Sequence, residues 1–353
     1  MSYNIGFYIH HHGSGHLMRA LAIAAHLDRP ITFLGSGMRD YQTVIPPSIR
    51  CIHLPADVPD EDDHAYVAGT AVDCLHYAPL NVTGIRLRNQ LLSDFFAATY
   101  PIILIVDVSV EVALFARLSG IPSIVMRQHG SRNDTAHLAA YQSASLLLAP
   151  YPERLRTGSI KWVDEKTFFA GGFSRYTGLK KTALTIGDDK CVAVITGRGG
   201  TSISLSFIRH IARVCPEHHF HILGDIATQN WSSGNVSFHG RCAEPETVLN
   251  ICRIVIGNAG HNTVMEVADL QKAFICIPEK RPFEEQLQKA LLIQRHFAIP
   301  LVMPEALFKT DWQDILDKLS RSQPEWQGII NEQALSQVAA AIDQLAIQLF
   351  GSP

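Results

Sequence analysis

The segment FYIHHHGSGHLMRALAIAAHL, residues 7–27, decides how the chain begins to fold. An apolar run passes into histidines and a glycine-containing turn, and an amphipathic helical pattern follows. This order is typical of the first strand, turn and helix of a doubly wound α/β domain. The same order returns in CVAVITGRGGT, residues 191–201, where another apolar run meets a glycine-rich turn. The sequence therefore predicts two such domains.

Short apolar runs alternate with helical patterns along the whole chain. Continuous apolar strands between helices indicate parallel sheets that helices cover on both faces. We predict an α/β protein with two doubly wound, Rossmann-like domains, residues 1–175 and 176–353, and a last helix near 331–348 that could pack on either domain. The runs that we interpret as strands are residues 3–9, 31–35, 49–54, 102–107, 123–127, 145–149, 191–196, 219–223, 236–240, 253–257 and 273–278.

Composition excludes several classes of protein. Of the 353 residues, 47% are hydrophobic and 18% are charged, which is enough for a large core and argues against disorder. The net charge of -3 gives no electrostatic reason to expect nucleic acid as a partner. We find no run of membrane-spanning length and no signal peptide before the first strand. Seven singly scattered cysteines are typical of reduced thiols, so we expect a cytoplasmic protein.

Four histidines, His10, His11, His12 and His16, raise the question of a metal site. Consecutive strand residues point to opposite faces, so the three adjacent rings cannot all converge on one ion. No acidic residue lies nearby in the sequence to complete a ligand shell. We therefore predict no bound metal. A purely structural role for these rings is that they satisfy hydrogen bonds of the loop.

The glycines beside these histidines suggest a site for a ligand. Gly13, Ser14 and Gly15 form a turn in which the backbone can approach a ligand closely, and the helix start supplies N–H groups. A second turn has the same character and could hold phosphate or simply reverse the chain. It lacks the lysine of a P-loop and the acidic residue of a Rossmann fingerprint. It contains Gly197, Arg198, Gly199 and Gly200.

The stretch IGNAGHNTVMEVADL, residues 256–270, has the pattern of a strand end followed by a helix start. We expect Asn262 or Thr263 to cap this helix and its first amides to hold a diphosphate. Glu266 lies one turn further on, where a carboxylate could accept hydrogen bonds from ribose hydroxyls. The alternative is an acidic residue that only stabilises the helix dipole.

This C-terminal block resembles the GT-B glycosyltransferases, especially the branch with the N-acetylglucosaminyltransferase that completes lipid II and the UDP-glucuronosyltransferase-like enzymes. The resemblance extends over nearly the whole chain and implies two domains that face a central cleft, which closes over the donor. The N-terminal domain would bind the acceptor and the C-terminal domain a UDP- or dTDP-linked sugar. The residues that carry the resemblance are Gly260-x-x-Thr263-Val264-x-Glu266, the loop at Pro278, and Glu285-Gln286.

The resemblance assigns donor contacts to the second domain. The helix start would hold the diphosphate, Glu266 the ribose, a segment with Phe238 the base, and Glu285 with Gln286 the sugar. The family needs no divalent ion and no cofactor, since helix termini stabilise the leaving diphosphate. The full set of implied donor-binding residues is Gly197, Arg198, Gly199, Gly200, Phe238, Gly260, His261, Asn262, Thr263, Glu266, Glu285 and Gln286.

The resemblance also makes His16 the candidate general base. An acceptor hydroxyl must lose its proton as it attacks the anomeric carbon, and a histidine can accept that proton near neutral pH. Plant-type members place an aspartate at a helix position where this chain has Leu114. Asp107 and Glu111 are the remaining candidate partners of His16, and we predict Asp107.

The acceptor is expected to be a small molecule or a lipid-linked compound. On the acceptor side the resemblance places Gly13, Ser14, Gly15, Arg127 and His129. A lipid-linked acceptor implies a peripheral membrane contact, and the apolar stretch LLSDFFAATY, residues 91–100, could either supply it or belong to the core.

Two other functions stay open. The pattern Gly15-His16-x-x-Arg19 also resembles nucleotide-sugar hydrolases of nonulosonic acid synthesis, in which the histidine would activate water. The chain could also be a non-catalytic subunit that binds a nucleotide sugar. The segment 57–98 and Glu285-Gln286 favour a transferase over a hydrolase, because a water nucleophile needs no long acceptor-side segment. The resemblance implies that this transferase is inverting, metal-independent and of the hexosyltransferase type.

Overall fold

The computed structural model describes residues 3–10, 15–67, 72–178, 187–197, 199–242 and 244–351. The chain divides into two compact units. The first unit contains Met1–Pro150, Gly158–Ala170 and Gln333–Pro353, and the second contains Tyr151–Thr157 and Gly171–Glu332. The main boundary therefore lies between residues 170 and 171, whereas the sequence placed it between 175 and 176.

The position of this boundary has a local cause in the second unit. The backbone N–H of Gly172 donates to the carbonyl oxygen of Ile329 at 2.8 Å, and the N–H of Asn331 donates to the carbonyl oxygen of Gly172 at 2.9 Å. A side chain at Gly172 would meet the Ile329 carbonyl oxygen at 2.5 Å, so glycine is required for this close approach.

The first unit contains a seven-stranded sheet with the strand order β3-β2-β1-β4-β5-β6-β7. Each pair of neighbouring strands is parallel. The central strands are buried along almost their whole length, as their continuous apolar runs predict. The sequence missed β7, whose three residues are too few to show a period. The strands are β1 Asn4–Ile9, β2 Ile31–Gly35, β3 Arg50–His53, β4 Ile102–Asp107, β5 Ser123–Met126, β6 Leu146–Ala149 and β7 Thr167–Phe169.

Helices of the first unit pack on this sheet. They are α1 Gly15–Ala24, α2 Thr83–Ala98, α3 Val110–Leu118, α4 Thr135–Ser143 and α5 Lys161–Glu165. The apolar stretch at residues 91–100 belongs largely to the core, because Leu92, Phe95 and Phe96 of α2 are buried. The suggestion that this stretch forms an exposed apolar patch is therefore wrong, although Tyr100 is exposed.

The second unit contains a five-stranded parallel sheet with the order β10-β9-β8-β11-β12. Its strands are β8 Asp188–Ile195, β9 His219–Leu223, β10 Val236–Gly240, β11 Cys252–Asn258 and β12 Ala273–Ile277. Its helices are α6 Leu205–Val214, α7 Pro245–Ile251, α8 His261–Asp269, α9 Glu285–Phe297 and α10 Trp312–Arg321. The prediction of two doubly wound, parallel-sheet α/β domains is confirmed.

The last helix, α11 at Ala334–Phe350, belongs to the first unit. Its Asp343 accepts a hydrogen bond from the Tyr3 hydroxyl at 2.8 Å, and its Phe350 lies against the Tyr3 ring, with centroids 6.4 Å apart. Within the described residues, every helix is too short or too polar to pass through a bilayer.

Candidate functional site

The carboxyl ends of β1 and β4 lie side by side in the first unit, because these two strands pair directly. His10 follows β1, α1 begins at Gly15, and Asp107 ends β4. The next residue, Val108, has φ of 64°, a left-handed conformation that is costly for a β-branched side chain. The chain therefore turns sharply at the end of β4, directly after Asp107.

Three side chains meet at this edge. Arg19 Nη2 lies 2.6 Å from Asp107 Oδ1 and 2.7 Å from Oδ2, and Arg19 Nε donates to Oδ2 at 3.0 Å. His16 Nδ1 lies 3.3 Å from Asp107 Oδ1 and 3.1 Å from Arg19 Nη2. Because His16 and Arg19 are three residues apart on α1, both side chains face the same strand end.

Asp107 is ionised in this arrangement. Burial alone would raise the pKa of its carboxyl group, but the charge of Arg19 and the contact with His16 lower the pKa well below its usual range. Asp107 and Arg19 are 3% and 6% exposed, so water screens their interaction little. The side chain of His16 is 18% exposed, so this ring keeps contact with solvent.

The structure thus brings His16 to Asp107 rather than to Glu111. Glu111 Oε1 instead accepts hydrogen bonds from the backbone N–H groups of His76 and Tyr77, at 2.7 and 2.9 Å. Leu114, one turn further along α3, packs on the hydrophobic core. Glu111 therefore anchors a loop, which leaves Asp107 as the carboxylate beside His16.

A second titratable network, at His76, Asp134 and His137, is the candidate metal-binding cluster among the described residues. Asp134 caps α4, and its oxygens lie 2.9 Å from His76 Nε2 and 2.6 Å from His137 Nδ1. Arg132 Nη1 lies 2.9 Å from His137 Nε2 and can only donate, so the proton of the neutral ring lies on Nδ1 and is shared with Asp134. Burial and the charge of Arg132 lower the pKa of His137 to about 4. The positive charge of Arg132 is unfavourable for a metal ion at this place. A shared proton between His137 and Asp134 therefore accounts for the close approach of these side chains.

The remaining acceptor-side residues of the first unit are largely enclosed. Arg127 is 7% exposed, and its Nη1 pairs with Asp164 at 2.9 Å and donates to Thr167 at 3.1 Å. His129 is 1% exposed. Neither side chain presents an exposed charge, and their acceptor-side role stays a prediction. His11, His12, Gly13 and Ser14 lie outside the described residues.

In the second unit, Glu279 holds the glycine-rich turn that follows β8. Its Oε1 accepts from the Ser202 N–H at 2.6 Å, the Ser202 hydroxyl at 2.7 Å and the Thr201 hydroxyl at 3.3 Å. Asn258, at the end of β11, donates to the same oxygen at 3.0 Å. One carboxylate from the loop after β12 therefore joins the ends of β8 and β11.

The glycines of this turn meet a second side chain from the same loop. Arg281 Nη2 donates to the carbonyl oxygen of Gly200 at 2.6 Å and leaves little room beside Gly199. Gly200 has φ of 86°, which favours glycine, and a side chain at Gly197 would meet no atom within 4 Å. Arg198 lies outside the described residues.

The helix start after β11 differs from the prediction in its cap. Gly260 is the N-cap residue of α8, and it makes no side-chain capping hydrogen bond. Asn262 and Thr263 lie inside the first turn, so the expectation that either caps the helix is wrong. The helix begins at His261 because Gly260 adopts the extended conformation of a cap. The N-cap residue of α8 is therefore a glycine, which contributes no capping side chain of its own.

A buried lysine stabilises this turn from the other side. Lys289 of α9 is fully buried, and its Nζ donates to the carbonyl oxygen of Ala259 at 3.1 Å. Its ion pair with Glu285 Oε1 spans 3.6 Å. The positive charge of Lys289 thus lies next to Ala259, the residue before the N-cap residue Gly260.

Glu266 lies on the second turn of α8 and pairs with Arg175. Arg175 Nε and Nη2 both lie 2.8 Å from Glu266 Oε1. Burial raises the pKa of Glu266, and Arg175 opposes this shift. Glu266 is 8% exposed, so an ion pair already engages one of the oxygens that the ribose would use. Its ribose contact stays a prediction.

The last three donor residues occupy different environments. Phe238 lies within β10 rather than in a loop, and its ring meets that of Trp231 edge to face at 6.2 Å. Gln286 is buried, and its Oε1 accepts from the Glu279 N–H at 2.9 Å, so Gln286 supports the turn at Glu279. Glu285 is partly exposed at the first turn of α9. Their contacts with a donor stay predictions.

Sequence reasoning gave no role to Arg19, Arg175, Glu279 or Lys289. Two of them carried a signal, because Arg19 lies three residues after His16 and Glu279 directly follows Pro278, the first residue after β12. The other two act on residues 91 and 30 positions away, which no local pattern reveals.

The comparisons with known proteins agree with this architecture. Residues 243–344 match the family model of the glycosyltransferase family 28 C-terminal domain. The solved structure of MurG from Acinetobacter baumannii is similar, with a TM-score of 0.59 and 15% identity, covering 98% of this chain and 100% of that one. CalG4, the calicheamicin glycosyltransferase, has a TM-score of 0.66 and 12% identity, covering 99% of each chain. No curated protein matches the chain.

A UDP-glucosyltransferase from Polygonum tinctorium extends the same likeness, with a TM-score of 0.62 and 15% identity over 97% of this chain and 99% of that one. The similarity of these solved structures over nearly the whole chain establishes the fold. Together with the family match, it confirms the resemblance to the GT-B glycosyltransferases that the sequence predicted.

Proposed function

We propose that this protein is an inverting, metal-independent hexosyltransferase that uses a UDP- or dTDP-linked sugar. The observation that carries this proposal is the contact of His16 with ionised Asp107 at the carboxyl end of the first sheet, in a chain with the GT-B fold. We further propose a cytoplasmic location, and a peripheral membrane contact if the acceptor is lipid-linked.

In the proposed reaction His16 accepts the proton of the acceptor hydroxyl. The hydroxyl oxygen forms a bond to the anomeric carbon of the sugar as the bond from that carbon to the diphosphate oxygen breaks. The nucleoside diphosphate leaves with the additional negative charge. The N-terminal amides at the start of α8 and the positive charge of Lys289 support a role in stabilising that charge.

Further residues would divide the remaining contacts. Gly197, Arg198, Gly199 and Gly200 would contact the diphosphate with Gly260, His261, Asn262 and Thr263. Glu266 would bind the ribose, Phe238 the base, and Glu285 with Gln286 the sugar. On the acceptor side we propose Gly13, Ser14, Gly15, Arg127 and His129.

The second candidate is a nucleotide-sugar hydrolase. The observation in its favour is that Arg19, part of the pattern shared with such hydrolases, is fixed on Asp107 beside His16. In that case His16 would accept a proton from water, and no acceptor would be needed. A non-catalytic subunit that binds a nucleotide sugar requires neither reaction.

Binding followed by product analysis tests these functions. A panel of UDP- and dTDP-sugars is screened by thermal shift, where a donor at a hundredfold excess over its Kd stabilises the fold by about 2.7 kcal/mol. Stabilising donors are then incubated without acceptor and with a panel of acceptors. A glycoside formed only with acceptor supports the transferase. Release of sugar from the donor alone identifies the hydrolase, and binding without any product identifies the subunit.

A further inference from the structure

Arg19 and Asp107 form a buried ion pair that the proposed reaction does not itself require. Arg19 makes three contacts of 3.0 Å or less with the Asp107 carboxylate, whereas His16 approaches the same carboxylate only to 3.3 Å. Both charges lie almost entirely away from water. In such an environment a single unpaired charge is costly, so each needs the other.

We propose that Arg19 is a positioning residue, which takes up the charge of Asp107 and thereby keeps His16 uncharged and able to accept a proton. This inference rests on the proposed function of His16 as the base. The same role of Arg19 would serve the transferase and the hydrolase, since only an uncharged imidazole can accept a proton from a hydroxyl group or from water.

The groups that face His16 explain why the charge of Arg19 matters. Among the described residues they are Arg19 from the same helix, Asp107 from the end of β4, and His10, which follows β1 and whose ring centroid lies 5.9 Å from that of His16. A carboxylate alone would favour a protonated imidazole next to it. The guanidinium 3.1 Å from Nδ1 opposes that proton, so the two charges act against each other.

The contacts of Nδ1 also accommodate both uncharged forms of the ring. With the proton on Nε2, Nδ1 accepts from Arg19 Nη2, and with the proton on Nδ1, the ring can donate to Asp107 Oδ1. The second form leaves Nε2 as the acceptor for a substrate proton. The charged ring carries a full positive charge whose Nδ1 lies 3.1 Å from the guanidinium, whereas the uncharged ring with its proton on Nδ1 has no net charge to oppose Arg19.

The test reads the charge of the His16 ring directly. The full chain is labelled with ¹⁵N-histidine, the His16 signals are assigned by their loss in His16→Gln, and ring nitrogen shifts are measured near neutral pH. The wild type should show the two well-separated shifts of an uncharged ring. Arg19→Gln should show the two similar shifts of a charged ring, whereas Arg19→Lys and the double variant with Asp107→Asn should restore the uncharged pattern. Arg39→Gln, at an exposed arginine, is the control.

Two results would overturn the proposal. One is a charged ring already in the wild type, which decides the question even if Arg19→Gln does not fold. The other is an uncharged ring in folded Arg19→Gln at the same pH.

Turnover is measured separately, so that this inference and the proposed function can fail independently. Arg19→Gln should lose at least about tenfold in kcat near pH 7, recover as the pH rises, and keep its UDP affinity. A kcat loss that does not recover with pH would make Arg19 merely structural. If no nucleotide sugar reacts with the wild type, the proposed function fails while the ring shifts still decide the role of Arg19.

Discussion

The carboxyl ends of the two parallel sheets use charged side chains in different ways. In the first unit, Arg19 and Asp107 form an ion pair, and both contact the partly exposed His16. Their charges therefore act on a side chain that can exchange a proton. In the second unit, Glu279 accepts hydrogen bonds from the turn after β8 and from the end of β11, so its charge holds backbone in place. Both regions lie at the carboxyl end of a central parallel strand, β1 in the first sheet and β8 in the second. The side chains from neighbouring strand ends therefore distinguish the two regions, since in one they surround a histidine and in the other they hold a turn.

Removal of the His16 ring should have the largest effect and tests the first half of this comparison. His16→Ala should lower turnover by on the order of a hundredfold or more, because the ring that we propose as the proton acceptor is removed. UDP affinity, measured by calorimetry, should stay within about twofold, since the proposed donor contacts lie in the second unit. An equal loss of UDP affinity with little loss in turnover would make His16 a ligand-binding residue.

Glu266 tests whether the second unit binds its ligand through side chains as well as backbone. Glu266→Ala should weaken UDP binding by roughly 1.5–3 kcal/mol, because a carboxylate offers charge-assisted hydrogen bonds to two ribose hydroxyls. A UDP analogue without those hydroxyls should bind wild type and variant about equally.

Arg175→Gln is the matched control, because it breaks the same ion pair and leaves the carboxylate in place. If both variants melt at a lower temperature and bind UDP normally, Glu266 serves only the ion pair with Arg175.

Glu279→Ala should have a smaller effect. It tests whether Glu279 supports the turn after β8 at the proposed donor site. We expect UDP affinity to fall by about tenfold and Tm to drop, because the turn after β8 loses several hydrogen bonds to one carboxylate. Glu305→Ala, at an exposed residue of the same unit, should change neither. Unchanged UDP binding in a destabilised Glu279→Ala protein would separate this turn from the donor site.

The network of His76, Asp134 and His137 should affect stability rather than turnover. The pKa of His137 is lowered to about 4 in the folded chain, so the unfolded chain binds the proton first as pH falls below 6.5. The stabilisation from the uncharged ring is therefore present above pH 6.5 and is lost between pH 6.5 and 4, on the order of 1–2 kcal/mol. His137→Gln should lose less Tm than the wild type between pH 7.5 and 5, whereas His26→Gln, at an exposed histidine, should behave as wild type.

Removal of divalent ions should have the smallest effect. We expect turnover to be unchanged after dialysis against EDTA, because backbone amides and Lys289 can offset the diphosphate charge. A complete loss that zinc restores would contradict this expectation, and the cluster of His76, Asp134 and His137 would then be the first place to look for the ion.

The sequence predicted both sheets because their strands are continuous apolar runs, and it predicted the place of Asp107 because that residue ends such a run. It could not predict β7, which has only three residues, or the cap of α8, where Gly260 precedes two better capping residues. The contact of Arg19 with Asp107 joins residues 88 positions apart, so it depends on the pairing of β1 with β4. Positions at strand ends were therefore predictable, whereas the partners that set their charge were not.

Because α11 belongs to the first unit, the order of synthesis on the ribosome affects when this unit acquires all of its packing. Residues 334–350 are synthesised after the whole of the second unit, yet Val338, Ile342 and Ala346 of this helix are buried in the folded protein. A nascent chain that ends at residue 332 has already made every strand of the first sheet but lacks the helix that packs on α1. Part of the packing of the first unit therefore becomes available only after the second unit has been synthesised.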